Sequence, residues 1–173
     1  IDMQDGVIVK SGAAPSRYVG TLRTTGTAGQ SEDSKKSRLL FNKNNKLRRL
    51  LYHELTGGSS SYSSTTVRPY NNLTSNSFSL VAGESVLVSF SCHAFVTNNT
   101  SIAVLGVGQN ITNNYLISSR IYNSGGTFFL VGNSEASGFN YFQATQSIFG
   151  TGSATWFDHN VTRPALIMGH VDI

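Results

Sequence analysis

Charge is scarce in this chain, and so are cysteine and long apolar runs. Charged residues make up 13% of the 173, and only nine are carboxylates. None of the nine pairs with another at a telling spacing in a structured run, because Glu32-Asp33 falls in a polar stretch. The two acids that a glycosidase needs are therefore not legible. Gly-x-Ser-x-Gly, a P-loop and His-Glu-x-x-His are all missing, so the expectation is a protein that is not an enzyme and uses no cofactor. The single cysteine, Cys92, excludes an internal disulfide and a cysteine-built zinc site. It falls in an alternating strand and reads as a small buried hydrophobe. No apolar run approaches the roughly 20 residues of a membrane-spanning helix, so no membrane insertion is expected. The chain opens Ile-Asp-Met with no basic or apolar leader, which predicts no secretory signal; the missing initial Met predicts a piece of a longer protein or a processed one.

What is present is Ser, Thr, Asn and Gly around short runs of Val, Ile, Phe and Tyr. With 39% apolar residues, the chain can build a core but must cover it with uncharged polar groups. That composition belongs to neither a disordered nor a helical chain; it predicts an all-β protein.

The clearest strand is Glu84–Val96. Val86, Val88, Phe90, Cys92, Ala94 and Val96 alternate onto one apolar face, while Ser85, Ser89, Ser91 and His93 share the other with Leu87 and Phe95. Period two over thirteen residues is wrong for a helix. Val81–Glu84 reads as the turn into this strand, and Thr97–Thr100 as the turn out of it. Ile102–Val107 then reads as its hairpin partner. Further strands are expected at Gly6–Lys10, Tyr62–Arg68, Tyr115–Tyr122, Thr127–Val131, Phe139–Thr145, Ala154–Phe157 and Ala165–Val171, with Gly132–Gly138 among the separators. Roughly ten short strands at a spacing of about 8–15 residues predict an antiparallel jelly-roll-like β-sandwich. Residues 1–16 are expected to connect to an upstream region, and residues 17–173 to form a single domain.

Charge is lopsided. Residues 1–54 carry a net +5 and residues 55–173 a net −1. The basic patch is Lys35, Lys36, Arg38, Lys43, Lys46, Arg48 and Arg49. It could serve nucleic acid or an anionic surface. The plainer reading is solvated strand edges and turns, where Lys blocks edge-to-edge pairing. Only Phe41 and Tyr52 lie within the cluster, too few aromatics for a nucleic-acid surface, so nucleic acid is not expected.

The same region carries a resemblance. Asp5–Gly12, Tyr18-Val-Gly-Thr-Leu-Arg-Thr-Thr25, Gln30-Ser-Glu-Asp-Ser34, Arg38-Leu-Leu-Phe-Asn42 and Asn45-Lys-Leu-Arg48 resemble a module of bacteriophage tail-fibre and head-fibre proteins. Ser31 and Phe41 depart from the usual Thr and Trp. The likeness covers residues 5–52 and touches Gly169-His-Val171. It implies a virion fibre or spike domain, extracellular, attached to other virion proteins upstream and adhering to a host receptor such as a glycan. It also implies a homotrimer. Large apolar groups on both faces of Phe128-Phe129-Leu130, with Leu87 and Phe95 on a polar face, call for a covering layer. Leu87, Phe95, Phe128 and Phe129 are thus the candidate trimer interface. Two alternatives stand beside this reading: a carbohydrate-binding module of a larger enzyme, and a capsid decoration protein.

For glycan contact the candidates are Trp156, next to the Gly150-Thr-Gly loop, and Asp158 and His159 that follow it. Of the histidines, His93 and His170 fall on strands, and fibre trimers that stack histidines direct attention to them. Asp158-His159 and His170-x-Asp172 carry weak metal spacing, and no metal is expected. The Asn-x-Ser/Thr sequons at Asn72, Asn98, Asn99, Asn110 and Asn160 read as chance in an Asn/Thr-rich chain.

Overall fold

The computed structural model describes residues 2–4, 7–9, 20–43, 46–97, 100–122, 126–157 and 164–173. Strand β1 (Asp2–Gln4) pairs only with β2 (Val7–Val9). Next come β3 (Gly20–Leu22), β4 (Ser37–Arg38) and β5 (Leu40–Asn42), of which β3 and β5 pair. Then follow β6 (Arg48–Glu54), β7 (Ser59–Tyr62), β8 (Arg68–Pro69), a turn of 3-10 helix at Tyr70–Asn72, β9 (Ser77–Thr97) and β10 (Ile102–Gln109). The chain ends with β11 (Ile117–Tyr122), β12 (Gly126–Phe149), β13 (Ala154–Phe157) and β14 (Leu166–Asp172). Among the described residues the protein is all-β, and every strand pairing is antiparallel except the short β4–β9 contact.

Two long strands set the plan. β9 has 21 residues and β12 has 24, and they pair from Val96↔Gly126 to Ser77↔Gln143. Around the junction of Ala82↔Gly138 and Val86↔Ala136 the ladder slips, β9 running four residues while β12 runs two. Gly138 sits there at φ +66°, backbone that favours glycine. The ribbon bends at this bulge, and its two halves come face to face. A Cβ on Gly169 of β14, which pairs beside the second half of β9, would lie 2.8 Å from the Phe78 ring on the first half. Strands that change layer at a bulge make a β-sandwich-like arrangement.

The inner face is the even-numbered side of both long strands. Val86, Val88, Phe90, Cys92, Ala94 and Val96 are all buried, as their alternation predicts. Phe142 stacks on Phe78 at 5.1 Å between centroids and leans on Phe90 at 5.4 Å. Burying each such ring contributes about 1.5–3 kcal/mol.

Three expectations need correction. Val81–Glu84 and Gly132–Gly138 are not turns; both lie within continuous strands, on opposite sides of the same bend. The strands expected at Thr127–Val131 and Phe139–Thr145 are accordingly one. Second, β10 is not the hairpin partner of β9: β12 takes one whole edge of β9, and β13, β14 and β4 share the other, so β10 pairs with β11 and β12 instead. Third, Tyr62–Arg68 is not one strand; β7 ends at Tyr62 and β8 begins at Arg68. Tyr18, Val19 and Asn45 of the fibre-module resemblance lie outside the described residues, as do Asn98 and Asn99 of the turn expected at Thr97–Thr100.

Candidate functional site

The residues that carry the resemblance build a polar latch. The Ser34 hydroxyl donates to the Glu32 carboxylate, and the Ser37 amide donates to Ser34 Oγ at 3.2 Å. Arg38 pairs with Asp33 at 3.1 Å and donates to the Leu50 carbonyl from Nε at 3.4 Å and Nη2 at 3.2 Å. The backbone of the same turn bridges two strands: the Tyr52 amide donates to the Lys35 carbonyl at 2.7 Å, and the Ser79 amide to the Lys36 carbonyl at 2.9 Å. Leu39 and Phe41 anchor it in the core. Gly20 is needed because a Cβ there would lie 2.2 Å from the Phe41 carbonyl oxygen.

This accounts for much of the basic patch. Lys43 and Lys46 both pair with Glu84, at the bulge of β9. Arg38 is engaged as described, and Arg23 lies over the Phe139 ring at 3.3 Å. Lys35, Lys36, Arg48 and Arg49 have no ion-pair partner among the described residues. Three of the seven patch residues thus work inward, and four are left without an ion pair.

Trp156 is not a sugar platform. Its ring is fully buried, stacked on Phe128 at 5.3 Å and met edge-on by Tyr70 at 5.8 Å. β13 pairs between β9 and β7, so Ala154 and Trp156 face inward. Asp158 and His159 lie outside the described residues.

The four interface candidates divide. Leu87 and Phe129 are 60% and 67% exposed, whereas Phe95 and Phe128 are buried within the chain and cannot meet a partner. Phe128 is on the even, inner side. Phe95 is on the outer side, but Thr127 and Phe157 flank it on the neighbouring strands and the His93 ring abuts it at 4.7 Å.

The outer face of β12, β9, β14 and β6 forms rows across the sheet: Phe129–His93–Leu166–Glu54, then Val131–Ser91–Met168–Tyr52, then Asn133–Ser89–His170–Leu50. Phe129, His93, Leu166, Met168 and Pro164 line an open groove of about 490 Å³. His93 Nδ1 lies 3.3 Å from the Pro164 carbonyl oxygen. His93 and His170 are two rows apart, and the described residues contain no group of three metal-ligating side chains.

A second exposed feature escaped the sequence reading. Ile102 of β10 sits between Tyr122 of β11 and Phe149 of β12, 62% and 58% exposed. Flanking a central strand sets the two rings about 10 Å apart. Arg120 lies over Phe149 at 5.4 Å. β10, β11 and the second half of β12 carry no carboxylate, and Arg120 forms no ion pair among the described residues. Alternation within β11 could have shown Arg120 and Tyr122 on one side, but only register puts Phe149 beside them.

Cys92 is enclosed, and burial pushes its thiol up to about 12, which leaves it without nucleophilic character. The chain matches no family model and no curated protein.

Proposed function

We propose that this chain is an all-β binding domain whose work is adhesion rather than catalysis. More particularly, it is the adhesion domain of a bacteriophage fibre or spike, a jelly-roll-like sandwich displayed on the virion that contacts a glycan on the host surface. The observation that carries the reading is the Tyr122–Ile102–Phe149 shelf with Arg120 beside it. Exposed rings flanked by a cation that has no ion pair among the described residues suit a sugar face and an acidic substituent. Among the described residues shared with fibre modules, those of the latch at Glu32–Arg38 have a structural task, tying β6 and β9 to the turn between them. That likeness also implies a homotrimer, for which Leu87 and Phe129 are the exposed candidates. A carbohydrate-binding module would use the same shelf, and catalytic sequence upstream would mark it.

The test is binding of the purified chain to host cells and to their isolated surface polysaccharide. Tyr122→Ala and Arg120→Ala are each expected to weaken retention at least tenfold with unchanged thermal stability. Retention equal to that of the parent chain would remove the shelf from the reading. Release of sugar products from the polysaccharide would overturn the non-catalytic assignment.

A further inference from the structure

Among the described residues, the first half of β12 has a free edge. From Gly126 to Ala136 it pairs with β9 on one side, and no described strand pairs with it on the other. β10 occupies that other side only from Phe142 onward. β11 passes over the inner face instead: Cβ atoms built on Gly126 and Gly132 would meet Ile121 and Ile117 at 3.2 and 3.3 Å.

The direction of the unpaired groups can be worked out. The Asn110 amide, just past β10, donates to the Tyr141 carbonyl at 2.9 Å, and Gln109 Nε2 donates to the Glu135 carbonyl at 2.8 Å. Both odd-numbered carbonyls thus point away from β9. Alternation in an antiparallel ladder then aims the N–H and C=O of Thr127, Phe129, Val131 and Asn133 the same way. None of these four backbones has a hydrogen-bond partner among the described residues.

Proteins usually blunt such an edge with Lys, Pro or a covering segment. Gly126–Ser134 contains no charged residue and no proline. The opposite edge of the same sheet is treated differently. On β6 the Tyr52 amide is taken by the Lys35 carbonyl and the Leu50 carbonyl by Arg38. One edge is closed by the latch, and the other is apolar and unpaired among the described residues.

We propose that the β12 edge pairs with the β12 edge of a second copy, antiparallel and two-fold, joining two sheets into one. A second copy is the occupant because the edge complements itself. Pairing about Leu130 sets Phe129 against Val131 and Thr127 against Asn133 in both directions, and all four present outward backbone groups. Phe129 and Val131, 67% and 56% exposed, become cross-strand apolar neighbours on the outer face. Centring on Val131 instead would set Phe129 against Asn133 and Thr127 against Glu135, whose carbonyl Gln109 already occupies. Self-pairing gives an isologous, closed contact, held by main-chain hydrogen bonds as in strand addition generally. It uses the same Phe129 as the three-fold contact implied by the resemblance, so the two are alternatives. It is independent of the adhesion reading, which the shelf carries elsewhere on the molecule.

Light scattering of the purified chain at micromolar concentration is expected to report about twice the 18.6 kDa chain mass. Val131→Lys should give a folded monomer. Leu87→Lys, on the same face but on the interior strand β9, should leave the two-copy mass unchanged. Amide exchange of Phe129, Val131 and Asn133 should slow at least tenfold between dilute and concentrated samples. Phe128, Leu130 and Gly132, which face β9, should exchange equally slowly in both. A monomer, a three-copy mass, dissociation by Leu87→Lys, or odd-numbered amides that exchange fast at every concentration would each overturn the proposal.

Discussion

Between Gly20 and Glu54 a few core anchors, Leu39, Phe41 and Leu51, are joined by polar links: Arg38 on Asp33 and the Leu50 carbonyl, Ser34 on Glu32, and Lys43 and Lys46 on Glu84. Between Ser77 and Phe149 the chain is held by rings and branched chains on the even-numbered face of one bent ribbon. The difference is one of cooperativity. Core rings share neighbours, so losing one loosens several, whereas each latch bond is local and partly bathed in solvent. The ribbon should therefore set global stability, and the latch should set how firmly β6 and the β3–β5 pair stay docked.

The sharpest test of that division is Phe90→Ala. Phe90 touches Phe142 and closes over Gly132, and its loss is expected to cost about 3–5 kcal/mol in urea or thermal unfolding. A cost below about 1 kcal/mol would place the core elsewhere. Gly20→Ala comes next. Its Cβ must push β3 away from the Phe41 carbonyl, at roughly 1–3 kcal/mol. Exchange protection should fall in β3 and β5 and hold in β9; an equal fall in both would abolish the distinction between regions.

Glu84→Gln should do less. It removes the partner of two lysines that are themselves half-exposed, so the loss should be about 1 kcal/mol, shrinking in high salt. A loss unaffected by salt would mean that Glu84 acts through packing at the bulge.

The smallest effect is on pH. Burial, and then the charge of Lys36, hold the His53 imidazole below its ordinary 6.5. The unfolded chain therefore takes up the proton first, and stability present above 6.5 declines as pH falls toward the folded-state value. His53→Gln should flatten that decline between neutral and mildly acid pH. An unchanged slope in the variant would assign the pH dependence to another group.

The two regions also differ in how far their sequences could be read. The inner face of β9 was visible because burial on one side of a strand forces strict alternation, and Val86 to Val96 obey it. The bend was visible only as two separate punctuation marks, Val81–Glu84 and Gly132–Gly138, since nothing local says that they face one another across a ladder. Trp156 misled for a related reason. Its Gly-rich neighbours signalled an exposed loop, while the strands on either side of β13, β7 and β9, are set by pairings distant in the chain. The latch residues were recognisable as a pattern, but their work was not, because Arg38 reaches Leu50 and Lys43 reaches Glu84 across separations that no period encodes. Of the Tyr122–Phe149 shelf, alternation could have paired Arg120 with Tyr122, but only register brings Phe149 beside them.

Cys92 lies in the second half of β9, opposite Leu130 of β12, fully enclosed, and is the single thiol of the chain. That placement turns the molecule into its own clock. A thiol reagent cannot reach Sγ until β9 parts from its neighbours, so the labelling rate counts openings of the ribbon and nothing else. Under conditions where closing outruns labelling, the rate converts directly into the free energy of that opening, in buffer and without denaturant. Any change in the core, the latch or the pairing of copies can be timed against the same atom, with no probe added to the protein.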